Sequence, residues 1–382
     1  MKTVFLSNYF NHHQRFISDE LNARCSEYTF VSTSEMREER KALGYGDIIV
    51  PEYVLDHKGE NDPKIEERIN SCDVVLWGSA AVDTVKKRIN NEGLTYKYSE
   101  RPLRRRSQIV KCVPRFIKWH LQYPTNKPLY LLCASAFTSY DFQKYGLFKN
   151  KAYKWGYFPE TKYYDIDSAI KEKNKTHILW CGRFLKLKHP DDVITVAKRL
   201  RDAGYSFTLD FIGNGEMEKE LVQMVKENAL EDHVSFLGSM KPAEVRGHME
   251  KAGIYLFTSD KQEGWGAVLN ESMNSGCAVV ASHAIGSVPY LVRDNENGLI
   301  YRSGDVDMLY EKVKYLLDNP TEQERMGKAA YKTITEIWNA RVAADRLIKL
   351  SERILSGEKY PDLYDSGPCS KAEIIKDDWY GC

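Results

Sequence analysis

From Ile178 onward, short apolar runs alternate with longer segments in which apolar positions recur every three or four residues. The runs predict strands, and the longer segments predict amphipathic helices. The predicted elements are, in order, strand Ile178–Cys181, helix Asp191–Ala203, strand Phe207–Ile212, helix Met217–Ala229, strand Val234–Leu237, helix Ala243–Lys251 and strand Ile254–Thr258. Such alternation is typical of a parallel sheet with helices on both faces, which is a doubly wound α/β domain.

The first half of the chain shows a similar but less regular pattern. Its apolar runs predict strands at Thr3–Leu6, Glu27–Val31, Val74–Trp77, Thr95–Tyr98 and Leu129–Leu132. We therefore predict two Rossmann-like domains, at 1–160 and 177–340, joined by a charged linker at 161–176. Residues 341–382 would form a helix, Arg341–Leu355, and a polar tail that could pack back on the N-terminal domain.

Length and composition narrow the class of protein. The 382 residues exceed one typical core, and 55 Lys and Arg against 54 Asp and Glu give a net charge of +1, which does not favour nucleic acid as a partner. The eight cysteines form no C-x-x-C pair and suit reduced thiols. Without a signal-like or membrane-spanning apolar run, we expect a cytoplasmic protein, attached at most to the inner face of the plasma membrane.

The segment Glu263–Glu271 carries two glutamates around a Gly-Trp-Gly turn. It follows the predicted strand Ile254–Thr258 and leads into a helix at Ala267–Asn274, so it lies where ligands bind in open parallel sheets. Gly264 and Gly266 allow the backbone to approach a ligand closely. Because carboxylates accept hydrogen bonds from vicinal hydroxyls and helix N-termini bind phosphates, the segment indicates a pocket for a sugar diphosphate.

A second group of polar residues follows the strand Ile178–Cys181. Gly182 ends the strand, and Arg183 and Lys188 place two cations near the same sheet edge, where they could hold a pyrophosphate and replace a metal ion. The two D-x-D triplets, Asp165–Asp167 and Asp305–Asp307, fall in the linker and at a helix start, so we predict no metal site and no cofactor. Gly213 and Gly215 lack the third glycine of a dinucleotide fingerprint.

Together these motifs give the second half a specific resemblance to the retaining family-four glycosyltransferases of GT-B fold. The residues that carry it, in family order, are Gly182-Arg183 with Lys188, Gly213-x-Gly215, Phe236–Gly238, Glu263–Glu271, Ser275–Ser282 and Asn297–Leu299. The resemblance implies that Arg183 and Lys188 bind the donor diphosphate, Glu271 the ribose and Glu263 the donor sugar. It also implies a donor site that includes Gly182, Gly213, Gly238, Gly264, Trp265, Gly266, Ala267 and Val268.

This sequence departs from the family pattern at two places. Trp265 stands where the family more often has Phe, and Ala284–Pro289 has one glycine where two are common. The shape of the sugar pocket therefore stays open.

The first half would bind the acceptor. Asn11, His12 and His13 follow the first strand in a segment similar to openings of some bacterial cell-surface polysaccharide transferases. Ser99, Glu100 and Arg101 follow the predicted strand Thr95–Tyr98, at a place where relatives often have a His that touches the reacting sugar. Both groups are candidates for cleft contacts, and the adjacent histidines lack the partner spacing of a metal site.

A local basic cluster lies between these segments and the linker. Its residues are Arg104, Arg105, Arg106, Lys111, Arg115 and Lys118, with Phe116 and Trp119 among them. The cluster is either a solvated face or a contact for a phosphorylated lipid acceptor or an anionic membrane surface.

The resulting functional hypothesis is sugar transfer with retention from a UDP- or GDP-sugar to a cell-surface glycan or a lipid-linked acceptor. Two alternatives stay open: a noncatalytic GT-B protein that binds a nucleotide sugar or acts as a scaffold, and a sugar-nucleotide epimerase of similar fold.

Overall fold

The computed structural model describes residues 1–36, 49–57, 62–104 and 112–381. They divide into two compact units: Met1–Glu160 with Asn339–Lys376, and Thr161–Trp338 with Asp377–Cys382. The chain therefore passes between the units after Glu160, after Trp338 and after Lys376. No helix in the described ranges is long and apolar enough to cross a membrane.

The first unit contains a seven-stranded sheet in which every described pairing is parallel. Its strands are β1 Lys2–Ser7, β2 Glu27–Ser32, β3 Val54–Asp56, β4 Val74–Trp77, β5 Leu94–Ser99, β6 Leu129–Cys133 and β7 Ala152–Lys154, in the order β3-β2-β1-β4-β5-β6-β7. Runs such as Val74–Trp77 are apolar at consecutive positions because helices cover both faces of the sheet.

One helix of the first unit comes from late in the chain. The described helices of this unit are His12–Arg24, Pro63–Ser71, Asp83–Asn90, Cys112–Gln122, Thr138–Gln143 and Ala340–Leu355. The last begins after Asn339, whose side chain accepts a hydrogen bond from the Val342 N–H. Arg24 Nε donates to Asp345 Oδ1 at 2.6 Å, so this helix packs beside His12–Arg24.

The second unit contains a six-stranded parallel sheet. Its strands are β8 Asn174–Cys181, β9 Thr208–Ile212, β10 Val234–Phe236, β11 Ala252–Phe257, β12 Ala278–Ser282 and β13 Leu299–Tyr301, in the order β10-β9-β8-β11-β12-β13. Its helices are Ile166–Glu172, Pro190–Asp202, Glu218–Glu227, Pro242–Lys251, Val268–Asn274, Val288–Leu291, Val306–Asp318 and Pro320–Lys332.

The neighbouring strands β8 and β11 form the switch point of the second sheet. From β8 the chain adds strands toward β10, and from β11 it adds them toward β13. The loops after these two strands therefore lead to opposite sides of the sheet and leave a crevice at their carboxyl ends, which is the usual ligand position in doubly wound sheets.

Residues 161–176 do not form the separate linker that we predicted. They belong to the second unit and include helix Ile166–Glu172 and the start of β8. The charged side chain of Lys173 is buried, and its Nζ donates to the carbonyls of Met249 at 2.7 Å and Ala252 at 2.9 Å. This lysine thus completes the end of helix Pro242–Lys251, and its charge does not mark an exposed linker.

Candidate functional site

The loops that follow β8 and β11 are held together at the switch point. Thr258 Oγ1 donates to the Lys188 carbonyl at 2.6 Å and accepts from Trp180 Nε1 at 3.0 Å. The Asp260 N–H donates to the Leu187 carbonyl at 2.8 Å. These bonds fix the turn Lys186–Lys188 against the segment that leads to Glu263.

Lys188 and Glu263 form an ion pair at this position. Lys188 Nζ donates to Glu263 Oε2, and the two side chains are only 16% and 15% exposed. Ser259 Oγ donates to the same carboxylate oxygen at 3.2 Å. Because an ammonium has three donors and a carboxylate about four acceptor sites, both groups keep capacity for a ligand.

Glu271 lies in the same electrostatic environment. It occupies the first turn of helix Val268–Asn274 and is half-buried. Burial raises the pKa of the Cys181 thiol to about 12; the Glu271 carboxylate adds to this rise, and the Lys188 ammonium opposes it. Tyr255, whose hydroxyl donates to the Cys181 carbonyl at 3.2 Å, likewise has its pKa raised mainly by burial and further by Glu271 and Glu263. The structure therefore brings both glutamates and Lys188 around the end of β8.

Arg183 is the second residue after β8, following Gly182, and its side chain is exposed. No ion pair with a described residue holds its guanidinium. It stands at the same sheet edge as Lys188 and is accessible to an anion.

The predicted glycines bring the loops after β8, β9 and β10 into contact. The Gly182 N–H donates to the Ile212 carbonyl at 3.0 Å, and the Gly213 N–H donates to the Gly238 carbonyl at 2.8 Å. Gly213 has φ +136°, and a Cβ there would lie 1.9 Å from the Gly182 oxygen. Only glycine fits such a close approach of two backbones.

Trp265 is placed differently from the other predicted donor residues. Its side chain is fully buried, its Nε1 donates to Asn270 Oδ1 at 2.9 Å, and its ring packs near Trp338. Gly264 and Ala267 are also buried, and Val268 starts the helix. The Trp265 indole thus belongs to the core beneath the turn, and only its backbone can face a ligand.

Gly266 fixes the shape of that turn. Its φ is +81°, and a Cβ there would lie 2.2 Å from Phe257 Cζ and 3.4 Å from Glu263 Cγ. The turn that carries Glu263 therefore requires glycine both for its dihedral angle and for space.

In the first unit, Tyr157 brings two of the predicted acceptor residues together. The His13 ring stacks on Tyr157 with centroids 5.4 Å apart, and the Tyr157 hydroxyl donates to Glu100 Oε1 at 2.7 Å. His12 lies beside His13, with ring centroids 4.0 Å apart. The sequence analysis does not single out Tyr157, which lies three residues after β7.

Other predicted acceptor residues have structural partners. Asn11 caps helix His12–Arg24 by accepting from the His13 N–H at 2.8 Å. Ser99 Oγ donates to the Glu100 carbonyl at 2.7 Å. Arg101 is buried in an ion pair with Asp141 at 3.2 Å, which removes it from the surface where an acceptor could bind.

Lys97 is a further polar residue at this sheet edge that the sequence interpretation did not single out. Its Nζ donates to the Gly78 carbonyl and lies 4.3 Å from the centroid of the Trp77 ring. Burial lowers its pKa to about 7. In the sequence, Lys97 could have been identified as the one charged residue of the strand Leu94–Ser99.

The basic cluster is only partly described. Arg105, Arg106 and Lys111 lie outside the described residues. Arg104 pairs with Glu100 at 2.7 Å, and Arg115 lies 5.6 Å from the Trp119 ring. Beside them, Phe116, Ile117 and Leu121 are exposed, so helix Cys112–Gln122 presents apolar side chains next to cationic ones.

Several carboxylates and one histidine of the second unit are possible metal ligands. Asp305 caps helix Val306–Asp318 by accepting from the Met308 N–H, as predicted, and Asp167 pairs with Lys328 at 2.7 Å. Within the described ranges, His189, Asp191 and Asp192 place potential ligand atoms within 4.8 Å of one another. A hydrogen bond with Asp260 is the largest cause of the raised pKa of His189.

Part of this chain is similar to known proteins. Residues 165–333 match the family described as Glycosyl transferases group 1. The chain is 26% identical over 182 residues to the amylovoran biosynthesis glycosyltransferase AmsK of Erwinia amylovora, covering 46% of this chain and 44% of the relative. It is 24% identical over 176 residues to a GDP-mannose-dependent phosphatidylinositol monomannoside mannosyltransferase of Mycobacterium tuberculosis, covering 44% and 46%. The chain thus spans less than half the length of these curated relatives.

Solved structures resemble a larger part of the chain. The Anabaena protein HepE, solved in complex with UDP, aligns with a TM-score of 0.68 at 16% identity and covers 93% of this chain and 100% of its own. Sucrose-phosphate synthase from Thermosynechococcus elongatus gives a TM-score of 0.68 at 13% identity, with the same coverage. This likeness shows that the fold is GT-B, with two doubly wound sheets, as predicted.

Proposed function

We propose that this protein is a retaining glycosyltransferase that uses a nucleotide diphosphate sugar, because residues 165–333 match the glycosyl transferases group 1 family. The observation that carries the proposal is the meeting of Lys188 and Glu263 at the switch point between β8 and β11, with Arg183 and Glu271 at the same sheet edge. Two cations and two carboxylates in one crevice suit a ligand that is both an anion and a polyol.

Each of the charged residues would bind a particular part of the donor. Arg183 and Lys188 would bind the diphosphate, since a guanidinium and an ammonium both pair with phosphate oxygens. Glu271 would accept hydrogen bonds from the ribose, and Glu263 from the donor sugar. The Lys188–Glu263 contact supports this assignment because the glutamate assigned to the sugar lies next to a cation assigned to the leaving group.

Chemistry at this site requires no attack by an enzyme carboxylate. As the bond from the anomeric carbon to the diphosphate breaks, Arg183 and Lys188 stabilise the charge that develops on the leaving group. The acceptor hydroxyl then approaches the oxocarbenium-like sugar from the same face, and a diphosphate oxygen takes its proton. The sugar keeps its anomeric configuration.

For the acceptor we propose a cell-surface glycan or a lipid-linked intermediate. AmsK is named for amylovoran biosynthesis, and the mycobacterial relative is named for a mannoside of phosphatidylinositol. The exposed Phe116, Ile117 and Leu121 support a further proposal, in which the protein binds an anionic membrane surface peripherally, since apolar and cationic side chains together bind such surfaces.

A thermal-shift screen tests the donor site directly. UDP, GDP and ADP, and UDP-glucose, GDP-mannose and ADP-glucose, are added at increasing concentration, and selective binding of one nucleotide class should raise the Tm by mass action. Glu271→Ala should weaken that binding about 10- to 100-fold, as expected for lost hydrogen bonds to a charged group. Glu220→Ala, an exposed glutamate of helix Glu218–Glu227, is the matched control.

The outcomes separate the proposal from its two alternatives. No Tm shift with any nucleotide, or equal binding by Glu271→Ala, contradicts the proposed donor site. Release of an altered nucleotide sugar without an acceptor indicates an epimerase, and binding without any turnover on lipid-extract or glycan acceptors indicates a noncatalytic protein.

A further inference from the structure

The segment Asp377–Gly381, which we call the tail segment, is fixed at the carboxyl ends of β12 and β13. Trp379 Nε1 donates to the His283 carbonyl at 3.0 Å. The Tyr380 hydroxyl lies 2.7 Å from the Ile300 carbonyl and 2.8 Å from Asp294 Oδ2. All these residues belong to the second unit, although the preceding stretch, Asn339–Lys376, belongs to the first.

His283, the first residue after β12, is fixed from more than one side. Its N–H donates to the Tyr301 carbonyl at 2.9 Å, and its Nδ1 accepts from the Ser303 N–H at 3.0 Å. Trp379 adds a bond to its carbonyl. The tail segment therefore helps to set where the loop His283–Ser287 leaves the sheet.

That loop contacts the turn that carries Glu263. The Gly286 N–H donates to the Glu263 carbonyl at 3.3 Å, and Ser287 Oγ donates to the Trp265 carbonyl at 2.6 Å. A continuous series of hydrogen bonds and short loop segments thus joins Trp379 to the backbone of Glu263.

We propose that Trp379 and Tyr380 are positioning residues for the donor sugar. The inference rests on the proposed function, which assigns Glu263 to the sugar and Glu271 to the ribose. Because the series of bonds ends at Glu263 and Trp265, loosening the tail segment should shift the loop around the sugar. Binding of the nucleotide portion, which relies on Arg183, Lys188 and Glu271, should change little.

The double variant Trp379→Phe/Tyr380→Phe tests this while keeping both rings. Isothermal titration measures the Kd of UDP, UDP-glucose, GDP and GDP-mannose for this variant and for the unmodified protein. We expect about fivefold weaker binding of the nucleotide sugar, as for the loss of one hydrogen bond, and a change of less than about twofold for the free nucleotide. Tyr163→Phe/Tyr315→Phe, at two exposed tyrosines of the second unit, is the control and should leave both constants unchanged.

A purely structural tail would give a different result. Equal weakening of nucleotide and nucleotide sugar, or no change in either, overturns the positioning role. Trp379→Phe alone, which preserves the Tyr380 contacts, should also weaken binding of the nucleotide sugar selectively, but by a smaller factor. If the unmodified protein binds neither these four ligands nor ADP and ADP-glucose, the proposed function itself fails, and that outcome is distinct from a variant that binds both classes normally.

Discussion

At the scale of single residues, the Lys188–Glu263 ion pair dominates the candidate site. Both side chains are mostly shielded from water, so their interaction is screened less than that of a surface pair. Removing either partner would leave the other charge poorly compensated, and loss of activity would then mix with loss of structure. Arg183, which is exposed, offers a cleaner test of charge stabilisation.

We predict that Arg183→Ala lowers turnover about 10²- to 10³-fold, the typical effect of removing one donor to a transition-state charge. The Tm should stay the same because the side chain is exposed. Release of nucleoside diphosphate at saturating donor measures the effect. Lys186→Ala, an exposed cation of the same segment, is the control and should keep normal turnover. Normal turnover in Arg183→Ala would remove this residue from the mechanism.

The sequence predicted which charged residues lie near the switch point because strand ends in a parallel sheet share one edge. It could not predict that Lys188 bonds to Glu263, since the turn Lys186–Lys188 has no strong sequence signal. The buried partner of Arg101 was also hidden: Asp141 lies 40 positions away in the chain, and nothing in its local pattern marks burial.

At the scale of elements, the turns that contain glycine determine both the path of the backbone and the position of the site residues. We predict that Gly266→Ala destabilises the protein by at least about 3 kcal/mol, because the positive φ costs about 1–2 kcal/mol and the clash with Phe257 adds to it. Gly304→Ala is the control: it has φ +80°, but its Cβ would meet nothing within 4 Å. Chemical denaturation measures both variants. Equal losses would show that the contact with Phe257 does not matter.

A second prediction concerns pH and the end of β12. Burial lowers the pKa of His283, and protonation at Nδ1 would break its bond from the Ser303 N–H. The unfolded chain therefore binds the proton first, so this stabilisation is full above about pH 6.5 and is lost as the pH falls below that value. His189, whose pKa is raised, acts in the opposite direction in every variant that retains it.

His283→Asn isolates this contribution. The fall in Tm between pH 7.5 and pH 5.5 should be smaller in the variant than in the unmodified protein, since asparagine does not titrate. An identical pH dependence in the two proteins would contradict the assignment to His283.

Long apolar runs made most strands predictable, and Val74–Trp77 has the predicted bounds. The strands Val54–Asp56 and Ala152–Lys154 were missed because each has only two apolar residues followed by a charged one. The predicted linker at 161–176 was wrong because the charged residue Lys173, which the sequence pattern indicates to be exposed, is buried. The interpretation also took Trp265 only as a donor residue, whereas its indole packs in the core.

At the scale of the whole molecule, the proposed mechanism uses side-chain cations on the leaving group. We therefore predict that activity survives excess EDTA. The group His189, Asp191 and Asp192 makes this test informative because it lies just after Lys188. Activity that EDTA abolishes and Mg²⁺ or Mn²⁺ restores would contradict the prediction.

The stereochemistry of the product tests the mechanism as a whole. An α-linked nucleotide sugar should give an α-linked product, because the identified groups gather on the diphosphate side of the sugar. Glu263→Gln should slow transfer without trapping a glycosyl-enzyme. Proton NMR of the product and mass spectrometry of the protein measure these results. A β product would rule out retention, and a sugar adduct on Glu263 would give it the role of nucleophile.

The path of the chain between the two units also has a consequence for biosynthesis. Helix Ala340–Leu355 belongs to the first unit but is translated only after Thr161–Trp338. At about 5–20 residues per second, the ribosome needs roughly 10–40 s to make that stretch. During this delay the first unit exposes the apolar surface that Leu347 and Leu350 later cover. On a nascent chain, therefore, the first unit stays incomplete long after most of it has been made, and its uncovered surface is where we expect a chaperone to bind.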